Sequence, residues 1–229
     1  MMRPREAVQL IRTPMGRRWL RKNIRKRLYT RRESVCVRRD LTIPLPPLPA
    51  KIPLSVRQLR PDDDLSLIAD EPGLAPEVAQ LRADQRWMLS SDLPRPWVAI
   101  DSNGAVCFIA YLLTAKDNPQ VQALWKGWLP EIQPDEVMLE GFFTAASHRG
   151  LGIMGDAGTR MLEEMCDSTI HYGIGFIVTT NASSLRVGVD KAGWIPYLKR
   201  EERWTLFHRR VRFYPVDDGA EARSRQPVR

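Results

Sequence analysis

The chain has 229 residues, of which 43% are hydrophobic and 27% are charged. This length and composition are typical of one folded domain with an extension, and the apolar runs are too short for a membrane-spanning helix. The three cysteines include no C-x-x-C pair, and the three histidines lack ligand spacing. The sequence therefore predicts free thiols, a cytoplasmic location and no metal site.

The positive charge is concentrated at the N-terminus. Residues 1–40 contain 14 Lys and Arg against 3 acidic residues, a net charge of +11, whereas the whole chain carries +8. Apolar residues recur there every three to five positions, which predicts a basic amphipathic helix interrupted near Pro14 and Gly16. The apolar positions are Val8, Ile11, Met15, Trp19, Ile24 and Leu28.

Four interpretations of this basic segment stay open. It could pack its apolar face on the domain behind it and leave its charges in water. It could hold the protein at the inner, anionic membrane surface as a peripheral protein, or bind nucleic acid through phosphates. It could also be an organellar transit peptide, since such peptides are rich in Arg and poor in acidic residues.

Composition divides the chain into four parts. We expect a basic, partly helical extension over 1–43, a proline-rich connector over 44–51, a folded domain over 52–215 and a disordered tail over 216–229. Five of the eleven residues at 43–53 are prolines, which favours a stiff, extended connector.

The hydrophobic pattern predicts the elements in chain order. Residues 33–41 alternate like a strand that extends the sheet of the domain. Within the domain the predicted order is β-α-α-β-β-β-α-β-α-β-β, an α/β arrangement with a hairpin around Ser102–Gly104. The strands are expected in 52–60, 97–113 (two strands), 136–146, 172–181, 194–200 and 203–214. The helices are expected in 61–70, 75–89, 152–168 and 183–193. A linker is expected in 122–134.

A glycine turn joins the strand ending near Thr144 to the helix that follows. The turn "SHRGLGIMG" covers residues 147–155 and includes Gly150, Gly152 and Gly155. The first N–H groups of a helix have no internal partner, and its dipole adds partial positive charge there. Such a turn suits a pyrophosphate, although many strand-to-helix turns need glycine for conformation alone.

Two blocks of the chain resemble the GNAT N-acetyltransferase superfamily. The first fits the acetyl-CoA signature R/Q-x-x-G-x-G/A with Arg149, Gly150, Leu151, Gly152, Ile153 and Met154. Thr144 stands where the preceding strand usually has valine, Ala146 replaces a proline and His148 replaces a tyrosine. The second block, a strand, an Asn, a short helix and K-x-G-F, has Asn181, Lys191, Gly193 and Trp194. The predicted element order is also the GNAT order.

The resemblance implies a GNAT fold with a mostly antiparallel mixed sheet, helices on both faces, and acetyl-CoA as co-substrate. Backbone amides of 150–155 would hold the pyrophosphate, and Phe142, Phe143 and Thr144 would pair with the pantetheine arm. One of these three N–H groups would stabilise the developing oxyanion. Asn181 would help to hold the arm, or would serve only as a helix N-cap.

Direct transfer to an amine also needs a group that accepts the proton of the amine. With a period of two, Glu136 and Glu140 share one strand face with Met138 and Phe142. Glu140 is the first choice as base and Glu136 the second. Many GNAT enzymes have a tyrosine acid seven residues after the Asn, but this chain has Gly188 there. Tyr172, Tyr197 or water are the candidates that could replace it.

The expected function is therefore acetyl transfer from acetyl-CoA to an unidentified amine. The alternative is a non-catalytic, regulatory module that binds acyl-CoA and is tethered by its basic arm. Trp125 and Trp128, on either side of Gly127, could line an aromatic acceptor pocket, although most tryptophans are core residues. The sequence also leaves open whether two copies of the chain form a homodimer.

Overall fold

The computed structural model describes residues 21, 24, 25, 27–165 and 169–216. The first two thirds of the predicted basic helix, Cys166 and almost all of the predicted tail lie outside these residues. The chain divides into a larger compact unit over Cys36–Tyr197 and a smaller one that takes 1–35 together with 198–229.

Eight strands form one mixed, mostly antiparallel sheet. Their hydrogen-bonded order is β2-β3-β4-β5-β6-β1-β7-β8. The strands are β1 (Tyr29–Asp40), β2 (Ser55–Gln58), β3 (Trp97–Ile100), β4 (Val106–Thr114), β5 (Glu136–Thr144), β6 (Tyr172–Val178), β7 (Ile195–Thr205) and β8 (His208–Pro215). The predicted fold class, a mixed α/β sheet of the GNAT type, is confirmed.

Within the described residues, four α-helices lie between the strands. They are α1 (Pro76–Leu89), α2 (Asn118–Trp125), α3 (Ile153–Met165) and the single turn α4 (Ala182–Leu185), which continues as a π-helical stretch over Arg186–Lys191. Helix α3 follows the predicted apolar spacing, because Ile153, Ala157 and Met161 are buried in the core.

The larger unit buries apolar side chains on both faces of its sheet. Phe108 and Leu112 of β4 and Val137 and Leu139 of β5 belong to a cluster with the apolar face of α3. On the other face, Ile109 and Phe143 pack with Leu59 and Leu67. Because both faces are buried, the sequence of β4 is a continuous apolar run in which apolar and polar residues do not alternate.

Strand β1 uses residues from the basic N-terminal segment. In the larger unit its Cys36 and Val37 are buried, and Leu41 directly after it joins the core cluster with α3. The prediction that residues 33–41 extend the sheet is confirmed, and the strand lies between β6 and β7 in the sheet order.

Three local predictions were wrong. A helix was predicted over 61–70, but these residues form only a 3-10 turn at Ser66–Ile68. Pro61 begins a loop there, and the Asp63 carboxylate stabilises that loop by accepting hydrogen bonds from the Arg57 side chain and the Arg60 N–H. The predicted linker begins inside α2, which starts at Asn-Pro after a capping box of Thr114 and Asp117. Strand β7 runs on to Thr205, so the hairpin turn is at Leu206–Phe207.

None of the helices in the described part of the chain combines the length and the apolar character needed to cross a bilayer.

Candidate functional site

Strands β5 and β6 are parallel neighbours over only the first part of their length. Their register runs from Glu136–Tyr172 to Leu139–Gly175. Beyond this point β5 continues for five residues and β6 for three, and no register pair joins them within the described residues. The sheet is therefore open between the C-terminal ends of the two strands.

A β-bulge lies on β5 where this opening begins. Tyr111 of β4 pairs with Glu140, and Ile109 pairs with Phe143, so Gly141 and Phe142 together oppose a single residue of β4. Gly141 has a φ of +67°, a left-handed conformation that glycine adopts without a steric penalty. The bulge therefore disrupts the regular pairing of β5 with β4 at Gly141 and Phe142.

The bulge changes which side chains share a face. The period of two predicted Phe142 on the same face as Glu136 and Glu140. Instead the Phe142 ring lies 5.7 Å from the ring of Phe108, on the face covered by α3, and Phe143 packs on the opposite face. The prediction was wrong because the extra residue shifts the alternation by one position.

Helix α1 contacts the bulge from the face of the sheet opposite α3. The side-chain amide of Gln85 donates to the carbonyl oxygen of Gly141 at 2.7 Å. The Gln85 Oε1 and the Tyr111 hydroxyl are both buried and have no hydrogen-bond partner among the described residues. Burial raises the pKa of Tyr111 to about 12. Unpartnered buried polar atoms are rare in folded proteins and often mark functional sites.

The glycine turn leads from β5 into α3. Gly150 and Gly152 have φ angles of +78° and +80°. Among the described residues, the five consecutive N–H groups of 150–154 donate to no acceptor, whereas the Gly155 N–H donates to the Gly152 carbonyl at 3.1 Å. A Cβ on Gly150 would meet nothing within 4 Å, so the turn is open beside it. This arrangement fits an anionic group such as a pyrophosphate.

The proline-rich connector packs against this turn. The Lys51 N–H donates to the Leu151 carbonyl at 2.8 Å, and the Ala50 N–H donates to the Asp156 carboxylate at 2.8 Å. Asp156 also pairs with Arg160, one helical turn further along α3, at 2.6 Å. The connector therefore fixes the carbonyl side of the turn and leaves its N–H groups without acceptors among the described residues.

The comparisons with known proteins concern the fold. No protein-family model matches the sequence, and no curated protein matches it. Similar solved structures include a functionally unknown conserved protein from Staphylococcus epidermidis (12% identity, TM-score 0.50, 81% of this chain and 66% of that one). A second is a GCN5-related N-acetyltransferase from Sphaerobacter thermophilus, with 12% identity and a TM-score of 0.46 over 84% of this chain and 57% of that one. A third is a putative GNAT-family acetyltransferase from Novosphingobium aromaticivorans, with 12% identity and a TM-score of 0.41 over 75% of this chain and 63% of that one.

The mixed, mostly antiparallel sheet and the glycine turn before α3 agree with what the resemblance implied. The fold is GNAT-like. Because the identities are so low, the comparisons show the fold alone. The chain covers less than two thirds of the length of these structures.

In this GNAT-like fold the two candidate bases lie far apart. Glu140 adjoins the bulge, accepts a hydrogen bond from the Gly141 N–H at 3.1 Å and is half-buried. Glu136 is buried at the other end of β5, roughly 13 Å away along the strand, and accepts from the Gln133 N–H. Only Glu140 is placed at the opening.

The candidate acids lie at the end of the sheet where Glu136 lies. Tyr172 pairs with Glu136 in the register, and its ring lies 3.3 Å from the Arg38 guanidinium carbon. Burial, followed by contact with Cys36 and the charge of Glu136, raises the pKa of Tyr197 far above its usual value. A Cβ on Gly188 would lie 3.1 Å from Ile177 Cδ1, a tight contact with the flexible end of that side chain. Neither tyrosine therefore adjoins the bulge.

Asn181 is the N-cap of α4. Its side-chain oxygen accepts from the Ser184 N–H at 3.1 Å, and its side chain is exposed. The N-cap interpretation therefore describes its contacts within the chain, and its role toward a cofactor stays a prediction.

Another connection ties the glycine turn to the β3–β4 hairpin. His148 Nε2 lies 3.1 Å from an Asp101 carboxylate oxygen, and His148 Nδ1 lies 2.9 Å from the Ser147 hydroxyl. The hydrogen bond from the Ala105 N–H, and then the contact with His148, lower the pKa of Asp101. Arg149 is exposed beside this pair, with its Nε 3.4 Å from the Thr144 carbonyl.

A cavity of about 440 Å³ opens near the bulge on the α1 face. Tyr111 and Met88 line it, together with Arg60 and Arg95. Trp125 contacts Trp87 of α1 edge to face at 6.2 Å, and neither tryptophan lines this cavity. Sequence reasoning missed Tyr111, although it is a polar position within an apolar stretch, and Gln85, which lies between Asp84 and Arg86 and gives no such signal.

No cluster of three or more His, Cys, Asp or Glu side chains within the described residues is placed to hold a metal ion.

Proposed function

We propose that this chain is an acetyl-CoA-dependent N-acetyltransferase that transfers the acetyl group directly to an amine. The observation that carries the proposal is the bulge at Gly141–Phe142. It lies where β5 separates from β6 and shortly before a turn in which five consecutive N–H groups donate to no acceptor among the described residues. One continuous stretch of chain would then bind both the thioester and the pyrophosphate of acetyl-CoA.

The cofactor would be bound mainly by backbone groups. The N–H groups of 150–154 would hold the pyrophosphate, with Arg149 adding positive charge at the edge. The β5 residues after the bulge would pair with the pantetheine arm in the opening toward β6, and Asn181 lies just beyond the end of β6. Met154 suits such a cradle, because its N–H is as good a donor as that of glycine.

The reaction joins the amine nitrogen to the carbonyl carbon and breaks the carbon–sulfur bond. Glu140 would accept the proton that the amine loses, directly or through a water. A strand N–H at 142–144 would stabilise the negative charge that develops on the carbonyl oxygen. The thiolate that leaves would take a proton from solvent, because Gly188 stands where the family resemblance implies a tyrosine.

The acceptor would approach from the cavity on the α1 face. Tyr111 lines this cavity, is the cross-strand partner of Glu140 and touches the position of Gly141. The Tyr111 hydroxyl, which has no hydrogen-bond partner among the described residues, would then bind a polar group of the acceptor.

The test is to incubate the full chain with acetyl-CoA and a panel of amines and to measure free thiol. Release of CoA that depends on one class of amine supports the proposal. Saturable binding of acetyl-CoA without thiol release on any amine would instead indicate a regulatory acyl-CoA-binding module. Competition among acyl-CoA molecules of different chain length would identify the preferred donor.

A further inference from the structure

The β7–β8 hairpin ends in a turn of unusual composition. Its two central residues, Leu206 and Phe207, have φ angles of +47° and +66°. Two-residue turns of this kind strongly prefer Asn-Gly, because the left-handed conformation is sterically unfavourable for most other residues. Leu206 is also 68% exposed and Phe207 54% exposed. Conformation and solvation therefore both disfavour these two side chains.

Two further apolar side chains lie beside this turn. The Leu206 N–H donates to the Leu28 carbonyl at 2.9 Å, and the Phe207 N–H donates to the Arg27 carbonyl at 2.8 Å. Leu28 and Ile24 are helical, one turn apart, and each is 39% exposed. We call Ile24, Leu28, Leu206 and Phe207 the tip patch.

Positive charge surrounds the tip patch. The described residues of the smaller unit contain eleven Lys and Arg and three Glu. Two of these Glu residues, Glu33 and Glu201, pair with Arg31 and Lys199. Near the turn, Arg203 stands directly opposite Arg210 in the ladder. Like charges in this position repel each other, so an anionic partner would stabilise the hairpin.

We propose that the hairpin tip is a docking surface for an anionic lipid bilayer. The tip patch would enter the boundary between head groups and acyl chains, and the arginines around it would pair with the acidic head groups. A nucleic acid would use the arginines but would leave Ile24, Leu28 and Leu206 exposed to water. The combination of apolar and basic side chains therefore favours the membrane. This proposal is independent of acetyl transfer.

The main test uses the full chain and a variant that keeps the fold. Leu206→Asn together with Phe207→Gly supplies the residues that the turn prefers, so this variant should unfold at the same temperature as the native chain or higher. Sedimentation with vesicles of phosphatidylcholine, with or without phosphatidylserine, measures binding. We expect the native chain to bind only the vesicles that contain phosphatidylserine.

The turn variant should bind these vesicles at least about tenfold more weakly, since burying a Leu or Phe side chain contributes about 1.5–3 kcal/mol. Ile195→Ser is the matched control, because Ile195 is equally exposed but lies outside the smaller unit. Arg209→Gln with Arg210→Gln should also weaken binding, and added salt should weaken the binding of the native chain.

Three results would overturn the proposal. The first is equal vesicle binding by the native chain and the turn variant, or no vesicle binding at all. The second is binding to single-stranded RNA that the two arginine substitutions abolish and the turn substitutions leave unchanged, without vesicle binding. The third is self-association that only the turn substitutions remove, again without vesicle binding.

Discussion

The side-chain amide of Gln85, on α1, holds the carbonyl oxygen of Gly141, in the bulge of β5, at 2.7 Å. Gln85→Leu should therefore destabilise the fold by about 1–3 kcal/mol, because a buried carbonyl loses its side-chain donor. It should also lower the preference for acetyl-CoA over CoA, since the bulge N–H groups that would meet the acetyl carbonyl are no longer held in place. Calorimetric titration with both ligands measures this preference.

Gln80→Leu is the matched control for this variant. Gln80 lies on the same helix, but its side chain is exposed and donates to Asp84 at 2.8 Å. It should leave both the stability and the ratio of the two affinities nearly unchanged. If Gln85→Leu destabilises the protein and still keeps the native affinity ratio, Gln85 has a structural role only.

Gly152→Ala should weaken CoA binding by at least about tenfold. The substitution places a side chain at a φ of +80° and brings its Cβ to 3.3 Å from the Pro49 carbonyl, so the turn has to move. Gly104→Ala is the control, because Gly104 has a φ of +82° and open space around it in the β3–β4 turn. Both variants should lose stability, but only the first should lose affinity; equal affinity in the two would remove the turn from the binding site.

Glu140→Gln should reduce the rate of thiol release by about 10²–10⁴-fold if Glu140 is the base, because an amide cannot accept the proton of the amine. Acetyl-CoA affinity should stay close to that of the native chain, so the loss should appear in the rate of thiol release alone. Glu136→Gln is the control and should retain most of the activity, since Glu136 lies at the other end of β5.

The sequence predicted the parts of this structure that depend on local patterns. Apolar runs bounded by turn residues identified most strands, and the spacing of Ile153, Ala157 and Met161 identified α3. The sequence could not predict the bulge. One extra residue leaves no mark on the hydrophobic pattern of β5 itself and becomes visible only in the register of β5 with β4. The Gln85–Gly141 contact joins residues 56 positions apart. Such contacts follow from packing and leave no local signal.

The pair Arg57–Asp63 should make stability depend on pH in the acid range. The hydrogen bond from Arg57, helped by the Arg60 N–H, lowers the pKa of Asp63 from 3.8 to about 2. Because the folded pKa is the lower one, the pair stabilises the protein fully above pH 3.8, and this contribution is lost as the pH falls toward 2. Urea unfolding at several acid pH values measures the effect.

Asp63→Asn is the reference for this measurement, since it removes the titrating group and keeps the size of the side chain. The difference in unfolding free energy between the native chain and the variant should be constant above about pH 4 and should shrink below it. A difference that stays constant down to about pH 2 would contradict the assignment.

Deleting residues 1–43 should abolish cooperative unfolding and CoA binding together, although composition alone presents this segment as a separate extension. The deletion removes all of β1 and with it the buried side chains of Cys36, Val37 and Leu41. Each lost Val or Leu side chain costs roughly 1.5–3 kcal/mol of burial, and the sheet also loses a strand that lies between two others.

The control replaces Arg21, Arg25 and Arg27 with Gln, which removes charge and keeps β1. This control should unfold cooperatively and bind CoA like the native chain. A deletion variant that still unfolds cooperatively and binds CoA would show that the strand contributes nothing essential to the larger unit.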